Sequence, residues 1–224
     1  MQVNCKYCGN AATYKCSVCN TLLCEAHAKQ QTVCPSCSGK HRSKCVVERA
    51  LSLEEKADIR KFVRQLWGEE EQLTFDRKFS VSEQPAYVAN VGKKTVGFVS
   101  FVEDEDNLII VALAVQAEHQ GLGIGHALIE KVESEARRQQ KRKLLVSTSN
   151  DNLPALGFYQ SLGFQIFEVK PNVIAEKHGQ ILAGIGGLPI RDELRLQKIL
   201  RQQGALSNRA SSNSQPLSCL DQDD

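Results

Sequence analysis

From residue 45 onward the spacing of apolar and polar positions changes several times, and each change marks an element. Residues 45–51 (CVVERAL) read as a short strand. Ser52, with Glu55 three residues later, is the capping-box pattern that opens a helix. Ile59, Phe62, Val63, Leu66 and Trp67 then recur at helical spacing and give that helix one apolar stripe. A polar stretch follows, and after it come three strand-like runs, 87–91, 95–102 and 108–115. The turns between them, Gly92-Lys93-Lys94 and Glu103-Asp104-Glu105-Asp106, are so short that the three strands must be antiparallel neighbours. Four like charges in the second turn read as a solvated hairpin tip rather than a metal site. A glycine-rich loop then leads into a helix ending near Gln140. Residues 144–149 read as a strand, 154–162 as a helix, 164–169 as a strand, and 193–200 as a last strand with Leu194 and Leu196 on one face. The pattern predicts one α/β domain from residue 45 to about 203.

Residues 1–44 follow another rule: they hold too few apolar side chains for a core of their own. Eight of the nine cysteines lie before Val46, and the ninth, Cys219, sits in the tail. Met1-Gln2-Val3-Asn4-Cys5 has no apolar signal core, and no run approaches the ~18 apolar residues of a membrane span. The expectation is therefore a cytoplasmic protein without a membrane segment, in a compartment where thiols stay reduced and disulfides are rare. The spacing is Cys5-x2-Cys8, Cys16-x2-Cys19, Cys24-x2-His27 and Cys34-x2-Cys37, with His41 close behind. A two-residue gap lets a tight turn aim both ligands at one tetrahedral ion. Four such pairs supply two closed Zn2+ sites, structural rather than catalytic because no position is left for water. Metal binding then supplies the folding free energy of this segment.

The order of the pairs resembles the cross-braced zinc modules of the B-box type. That resemblance covers only these forty-odd residues. It implies that Cys5, Cys8, Cys24 and His27 share one ion and Cys16, Cys19, Cys34 and Cys37 the other. The match departs from the family at its end, where a B-box uses histidines and this chain has Cys34-Pro-Ser-Cys37. His41 is kept as a reserve ligand for Cys37, with a solvent-exposed histidine in the Lys40-His41-Arg42 run the favoured reading. Lys6, Lys15, Lys29, Lys40, Arg42 and Lys44 are scattered, with no interleaved aromatics and no recognition helix. A structural or protein-docking module is favoured over a nucleic-acid binder. Cys45 falls outside the pairing and is expected as a buried strand residue.

The stretch EHQGLGIGHALIEKV (118–132) sets Gly121, Gly123 and Gly125 at the mouth of a predicted helix. Without Cβ atoms there, an anion can reach unpaired amides where the helix dipole favours it. A Walker loop would end in Gly-Lys-Ser/Thr, but here Gly125 is followed by His126 and Ala127. A dinucleotide fold needs G-x-G-x-x-G after the first strand of a βαβ unit, and this loop is G-x-G-x-G after hairpins. What fits is Q-x-x-G-x-G, from Gln120 to Gly125, after a strand ending Leu113-Ala114-Val115. With it goes Asn152-Leu-Pro-Ala155-Leu-Gly-Phe158-Tyr159 and then Leu162-Gly163-Phe164, an N-x-x-A-x-x-x-Y-x-x-x-G-F pattern. The two motifs, in this order and at this separation, are similar to those of the GNAT superfamily of acetyl-CoA-dependent N-acetyltransferases, over roughly residues 46–200.

That resemblance implies a mixed, largely antiparallel sheet flanked by helices, and acetyl-CoA as cosubstrate for an amine on a small molecule or a protein. Backbone N–H groups of Gly121, Leu122, Gly123, Ile124, Gly125 and His126, in the loop that Gln120 opens, would cradle the coenzyme A pyrophosphate. Leu113, Ala114 and Val115 would pair with the pantetheine arm, and an amide there would polarise the thioester carbonyl. Asn152 would bond the arm or cap its helix. Tyr159 would protonate the departing thiolate, a transfer between groups of similar pKa. No residue earns the role of general base: 108–115 holds no carboxylate, the next strand offers Ser147, Thr148 and Ser149, and Glu103, Glu105 and Glu118 are near only in sequence. A water chain or the substrate's own solvent equilibrium would serve instead.

The family builds its acceptor pocket from a first helical region, here about 69–82, and from the segment at about 171–190, whose Gly179, Gly184, Gly186 and Gly187 suggest mobility. Neither names an amine. The basic run Arg137-Arg138-Gln-Gln-Lys141-Arg142-Lys143 complements a helix C-terminus and reads as a solvated face. Residues 204–224 are polar enough to be disordered. The alternative class is a zinc-module adaptor or nucleic-acid-binding protein whose acetyltransferase fold is degenerate and binds coenzyme A without turnover.

Overall fold

A computed structural model describes residues 3–16, 21–28, 34–36 and 45–200. Cys19, Cys37, His41 and the 204–224 tail with Cys219 lie outside the described residues. In the N-terminal segment, β1 (Tyr14–Lys15) and β2 (Leu22–Leu23) form a two-residue antiparallel ladder. β3 (Cys45–Arg49) leads to α1 (Leu53–Trp67), where Ser52 and Glu55 make the reciprocal capping box and Gly68 ends the helix in the left-handed region. Then come β4 (Glu71–Thr74), β5 (Arg77–Ser80), β6 (Ala86–Val91), β7 (Lys94–Asp104), β8 (Asn107–Val115) and α2 (Ile124–Arg138). β9 (Lys143–Ser149), α3 (Leu153–Ser161), β10 (Gln165–Lys170), α4 (Val173–His178), β11 (Leu182–Ala183), β12 (Pro189–Ile190) and β13 (Glu193–Ile199) complete the order.

Among the described residues one sheet carries the domain, in the order β10-β13-β9-β8-β7-β6-β3. Every neighbouring pair is antiparallel except β8 with β9. The sheet is mixed and mostly antiparallel, as expected. Ile59, Phe62 and Val63 of α1 meet Val88, Phe98 and Val111 on one face. On the other face Leu128, Ile129 and Val132 of α2 meet Val99, Ile110, Val146 and Leu196. The same apolar cluster is continuous with Cys16, Leu23 and Cys34 of the N-terminal segment.

Several expectations are corrected. Residues 69–82 are not an α-helix: before a short 3-10 turn at Val81–Glu83, β4 and β5 pair as a hairpin whose turn, Phe75 and Asp76, has φ of 51° and 60°. Two left-handed residues make the tight turn that matches strand twist, normally reserved for Asn-Gly. Without that glycine the hairpin signal was absent from the sequence. Residues 171–190 form α4 and the β11–β12 hairpin, latched to the end of β9. Asn150 bonds the Pro189 carbonyl at 2.8 Å and accepts from the Arg191 and Asp192 amides at 2.9 Å, while Asp151 accepts from the Ile185 amide at 3.0 Å. Gly184 is required here, since a Cβ on it would run into the Asp151 carboxylate. Cys45 is half-buried rather than buried. In β13 Leu196 is fully buried and Leu194 partly so, but Glu193 and Arg195 on the opposite face are buried too. The acidic turn and the basic run meet: Lys141 lies 3.4 Å from Glu103, and Arg142 3.5 Å from Asp106.

Candidate active site

β8 and β9 pair in parallel from Asn107 with Lys143 to Ile110 with Val146, and no further. β8 continues to Val115 and β9 to Ser149, so the two strands open into a fork. Leu113, Ala114 and Val115 line one prong, still paired on their other side to Val99, Phe98 and Gly97 of β7. Gly97 permits this pairing, because a Cβ there would lie 2.9 Å from the Ala114 carbonyl oxygen. Apart from the Val115 carbonyl, the backbone groups on the fork side of the prong have lost their β9 partner and are available to an extended ligand.

The glycine loop sits at the mouth of the fork. Gln120 donates from Nε2 to the Val115 carbonyl at 2.9 Å and ties the loop to the strand. Gly121 and Gly123 have φ of 72° and 84°, which favours glycine at both positions. Gly123 is the N-cap of α2 and offers no side-chain cap, so the amides of Ile124, Gly125 and His126 have no intrahelical acceptor. Gly125 serves a different need from Gly123: a Cβ on it would lie 3.2 Å from the Phe158 ring. Its smallness lets α3 pack against the start of α2. The His126 side chain points along the helix to Glu130, at 3.1 Å. Leu122 and Ile124 are buried anchors of the loop.

Across the fork, Asn152 is the N-cap of α3 and accepts from the Ala155 amide at 3.2 Å, so its capping role is visible. Tyr159 is buried with its ring set edge-on to both Phe158 and Phe164, at 5.3 and 5.5 Å between centroids. Burial pushes its phenol above the ordinary range, so the hydroxyl keeps its proton at any physiological pH. Glu103 and Glu105 lie at the far end of β8 from the mouth, about 27 Å away at ~3.4 Å per residue. Glu118 pairs with Lys94 at 3.5 Å. Sequence reasoning missed Thr74, whose hydroxyl lies 2.7 Å from that of Ser147, the first β9 residue beyond the last β8 pair. Nothing local in the sequence marks that contact, which spans 73 positions.

In the N-terminal segment Cys5, Cys8, Cys24 and His27 bring their ligand atoms within 4.8 Å of one another. The Cys24 and Cys5 sulfurs stand 3.3 and 3.7 Å from His27 Nδ1, and Cys8 3.5 Å from Cys24. Ligands of one tetrahedral Zn2+ stand about 3.8 Å apart, given Zn–S bonds of ~2.3 Å. Desolvation raises the Cys5 thiol, but backbone N–H donors of Tyr7, Cys24 and Cys8 outweigh it and bring it down to about 6. A thiolate is the form a metal binds. Of the other set, Cys34 donates its amide to Cys16 Sγ at 3.2 Å. Tyr7 stacks on His27 at 5.5 Å and bonds Ser36 at 2.9 Å, which links the two sets.

A family model for the acetyltransferase (GNAT) family matches residues 52–164. The uncharacterized protein YxbD of Bacillus subtilis (strain 168) is 30% identical over 145 residues, covering 62% of this chain and 90% of that protein. Human N-acetyltransferase 8B is 39% identical over 85 residues, 35% of this chain and 37% of that one. Among solved structures, the IAA acetyltransferase from Bacillus cereus ATCC 14579 superposes with a TM-score of 0.59 at 25% identity, over 70% of this chain and 99% of that one. A Bacillus subtilis acetyltransferase in complex with CoA gives 0.55 at 20% identity, over 70% and 100%. The family match takes in the glycine loop, the fork and Tyr159, and this chain belongs to the acetyltransferase (GNAT) family.

Proposed function

We propose that the chain moves the acetyl group of acetyl-CoA to an amine by direct attack in a ternary complex. The observation that carries this reading is the fork with uncapped helix amides at its mouth. The amides of residues 121–126 hold the pyrophosphate where the α2 dipole favours an anion. Leu113, Ala114 and Val115 pair with the pantetheine arm in place of the strand that β9 no longer provides. An amide of this prong stabilises the oxyanion as the amine adds to the thioester carbonyl. The carbon–sulfur bond then breaks, and Tyr159 gives its proton to the departing thiolate. No carboxylate among the described residues is assigned as base, and water takes the amine proton. The acceptor is an amine on a small molecule or a protein.

The N-terminal segment, residues 1–44, acts as a structural or protein-docking module with two Zn2+. Cys5, Cys8, Cys24 and His27 hold one ion, and Cys16, Cys19, Cys34 and Cys37 the other. The reading places the protein in the cytoplasm with no role for nucleic acid. Among the described residues no helix is long and apolar enough to cross a membrane.

Acetyl-CoA should raise the melting temperature by mass action. Gly123→Val should abolish that rise, because its side chain occupies the anion position. Gly125 is the wrong place for the test, since a side chain there strikes Phe158 first. An undiminished rise in the Gly123 variant puts the coenzyme elsewhere.

A further inference from the structure

At its inner end the fork is met by a side chain that reaches it from outside the sheet. Leu144 and Val146 face the α2 core, so Leu145, Ser147 and Ser149 alternate onto the α1 side. There β4 packs against β8, and Thr74, 4% exposed, sets its hydroxyl 2.7 Å from that of Ser147. The β4–β5 hairpin thus spans both prongs and puts a pair of hydroxyls just beyond the last β8–β9 pair.

Thr74 is not free to move aside. The next residue, Phe75, donates its amide to Glu193 at 3.2 Å, and its ring lies under the Arg195 guanidinium at 4.9 Å. Asp76 pairs with Arg195 at 2.9 Å, and Arg195, 5% exposed, is itself pinned by Glu193 at 2.9 Å and Glu168 at 3.0 Å. Phe75 also stacks on Phe167, at 6.5 Å. Phe75 and Asp76 sit in a backbone region that non-glycine residues avoid. A turn held there by contacts from β10 and β13 is rigid, and outliers of this kind point to function.

The pyrophosphate cradle at the start of α2 follows the C-terminal end of β8, so it marks the open mouth of the fork. An arm that enters at the mouth and runs back along β8 carries its thioester toward the vertex. We propose that the Thr74–Ser147 pair is the acyl-length stop of this enzyme, setting how long a chain the coenzyme thioester may carry. The inference rests on the coenzyme reading above and adds the class of donor: acetyl and propionyl thioesters fit, and longer chains meet the hydroxyl pair. A rigid wall discriminates by steric exclusion, as each added methylene must displace packed atoms.

The test is titration of the full chain with free CoA and with acetyl-, propionyl-, butyryl- and hexanoyl-CoA, followed by calorimetry. Free CoA has no acyl group and reports the cradle alone. In the wild type, Kd should be similar for CoA and acetyl-CoA and weaken by about 10-fold or more by butyryl, the low end for one or two misfitted methylenes. Thr74→Ala with Ser147→Ala should recover at least that factor for butyryl-CoA while Kd for CoA stays unchanged. Thr74→Ser removes one methyl and keeps the hydroxyl pair, so it guards against a folding defect, and it should shift the cut-off by about one carbon. Equal binding of hexanoyl- and acetyl-CoA by the wild type overturns the proposal. So does an identical length profile in wild type and variants that all bind CoA. If no form binds CoA at all, the coenzyme reading itself has failed and the stop falls with it.

Discussion

At the residue scale, Tyr159 is a packed side chain to which the proposed mechanism assigns chemistry as well. Its ring is wedged between Phe158 and Phe164, and the same burial raises its phenol. Tyr159→Phe keeps the ring contacts and removes only the proton donor. Its kcat should fall by about 100-fold, near the lower bound for general acid catalysis, with acetyl-CoA affinity nearly unchanged. Loss of help given only in the transition state lowers kcat and kcat/KM together. Because the phenol is raised, the wild-type rate profile should show no falling limb from Tyr159 below pH ~10. Turnover at the wild-type rate, with chemistry limiting, would leave Tyr159 a packing residue. The motif around it was legible in the sequence because it is local. The hydroxyl pair just beyond the last β8–β9 pair was not: Thr74 and Ser147 are 73 positions apart, and neither sits in a pattern.

At the element scale, α2 is held at both ends by different physics. Its start depends on Gly123 and on the small Gly125 beneath Phe158. Its end is anchored by Glu135, 5% exposed, which accepts from Arg138 at 2.6 and 2.9 Å, Gln139 at 2.8 Å and Arg49 of β3 at 3.3 Å. The Arg138 guanidinium, against the cost of burial and aided by Gln139 and Arg49, holds the Glu135 carboxyl down from 4.5 to about 2. A depressed folded pKa means the contribution is complete above the unfolded value and is lost as the carboxyl protonates on acidification, between pH 4.5 and about 2. Glu135→Gln should cost about 2 kcal/mol at pH 7, the scale of hydrogen bonds to a charged group. Urea unfolding should show the two proteins converging as pH falls through that window. A constant difference down to pH 2 would mean that shape, not charge, is what Glu135 supplies. The capping box of α1 and the helical stripes were readable from spacing alone. The β4–β5 hairpin was not, since its turn uses Phe-Asp where only a glycine or asparagine would have signalled it.

At the scale of the whole molecule, the N-terminal segment and the acetyltransferase domain share one apolar cluster, and the proposed reading gives them separate tasks. Elemental analysis of the purified chain should return about two zinc ions. A value near one would leave only the Cys5, Cys8, Cys24 and His27 set. If the segment's fold rests on metal as proposed, chelation should lower the melting temperature, because Cys16, Leu23 and Cys34 adjoin the domain core. Residues 45–203 alone should still bind acetyl-CoA, since every proposed coenzyme contact lies within them. Loss of that binding from a folded truncated chain would show that the two parts build one site. The sequence by itself determined the glycine loop, the Asn152–Tyr159 motif and most strands, because each is a pattern within ten or so residues governed by local geometry; of the four Cys and His pairs it offered, the structure draws Cys5, Cys8, Cys24 and His27 together. Only the tertiary structure decided where β8 and β9 part, which polar groups meet across the fork, and that acidic and basic runs are partners. Those outcomes depend on contacts between segments dozens of residues apart, where the chain's spacing carries no signal and packing makes the choice.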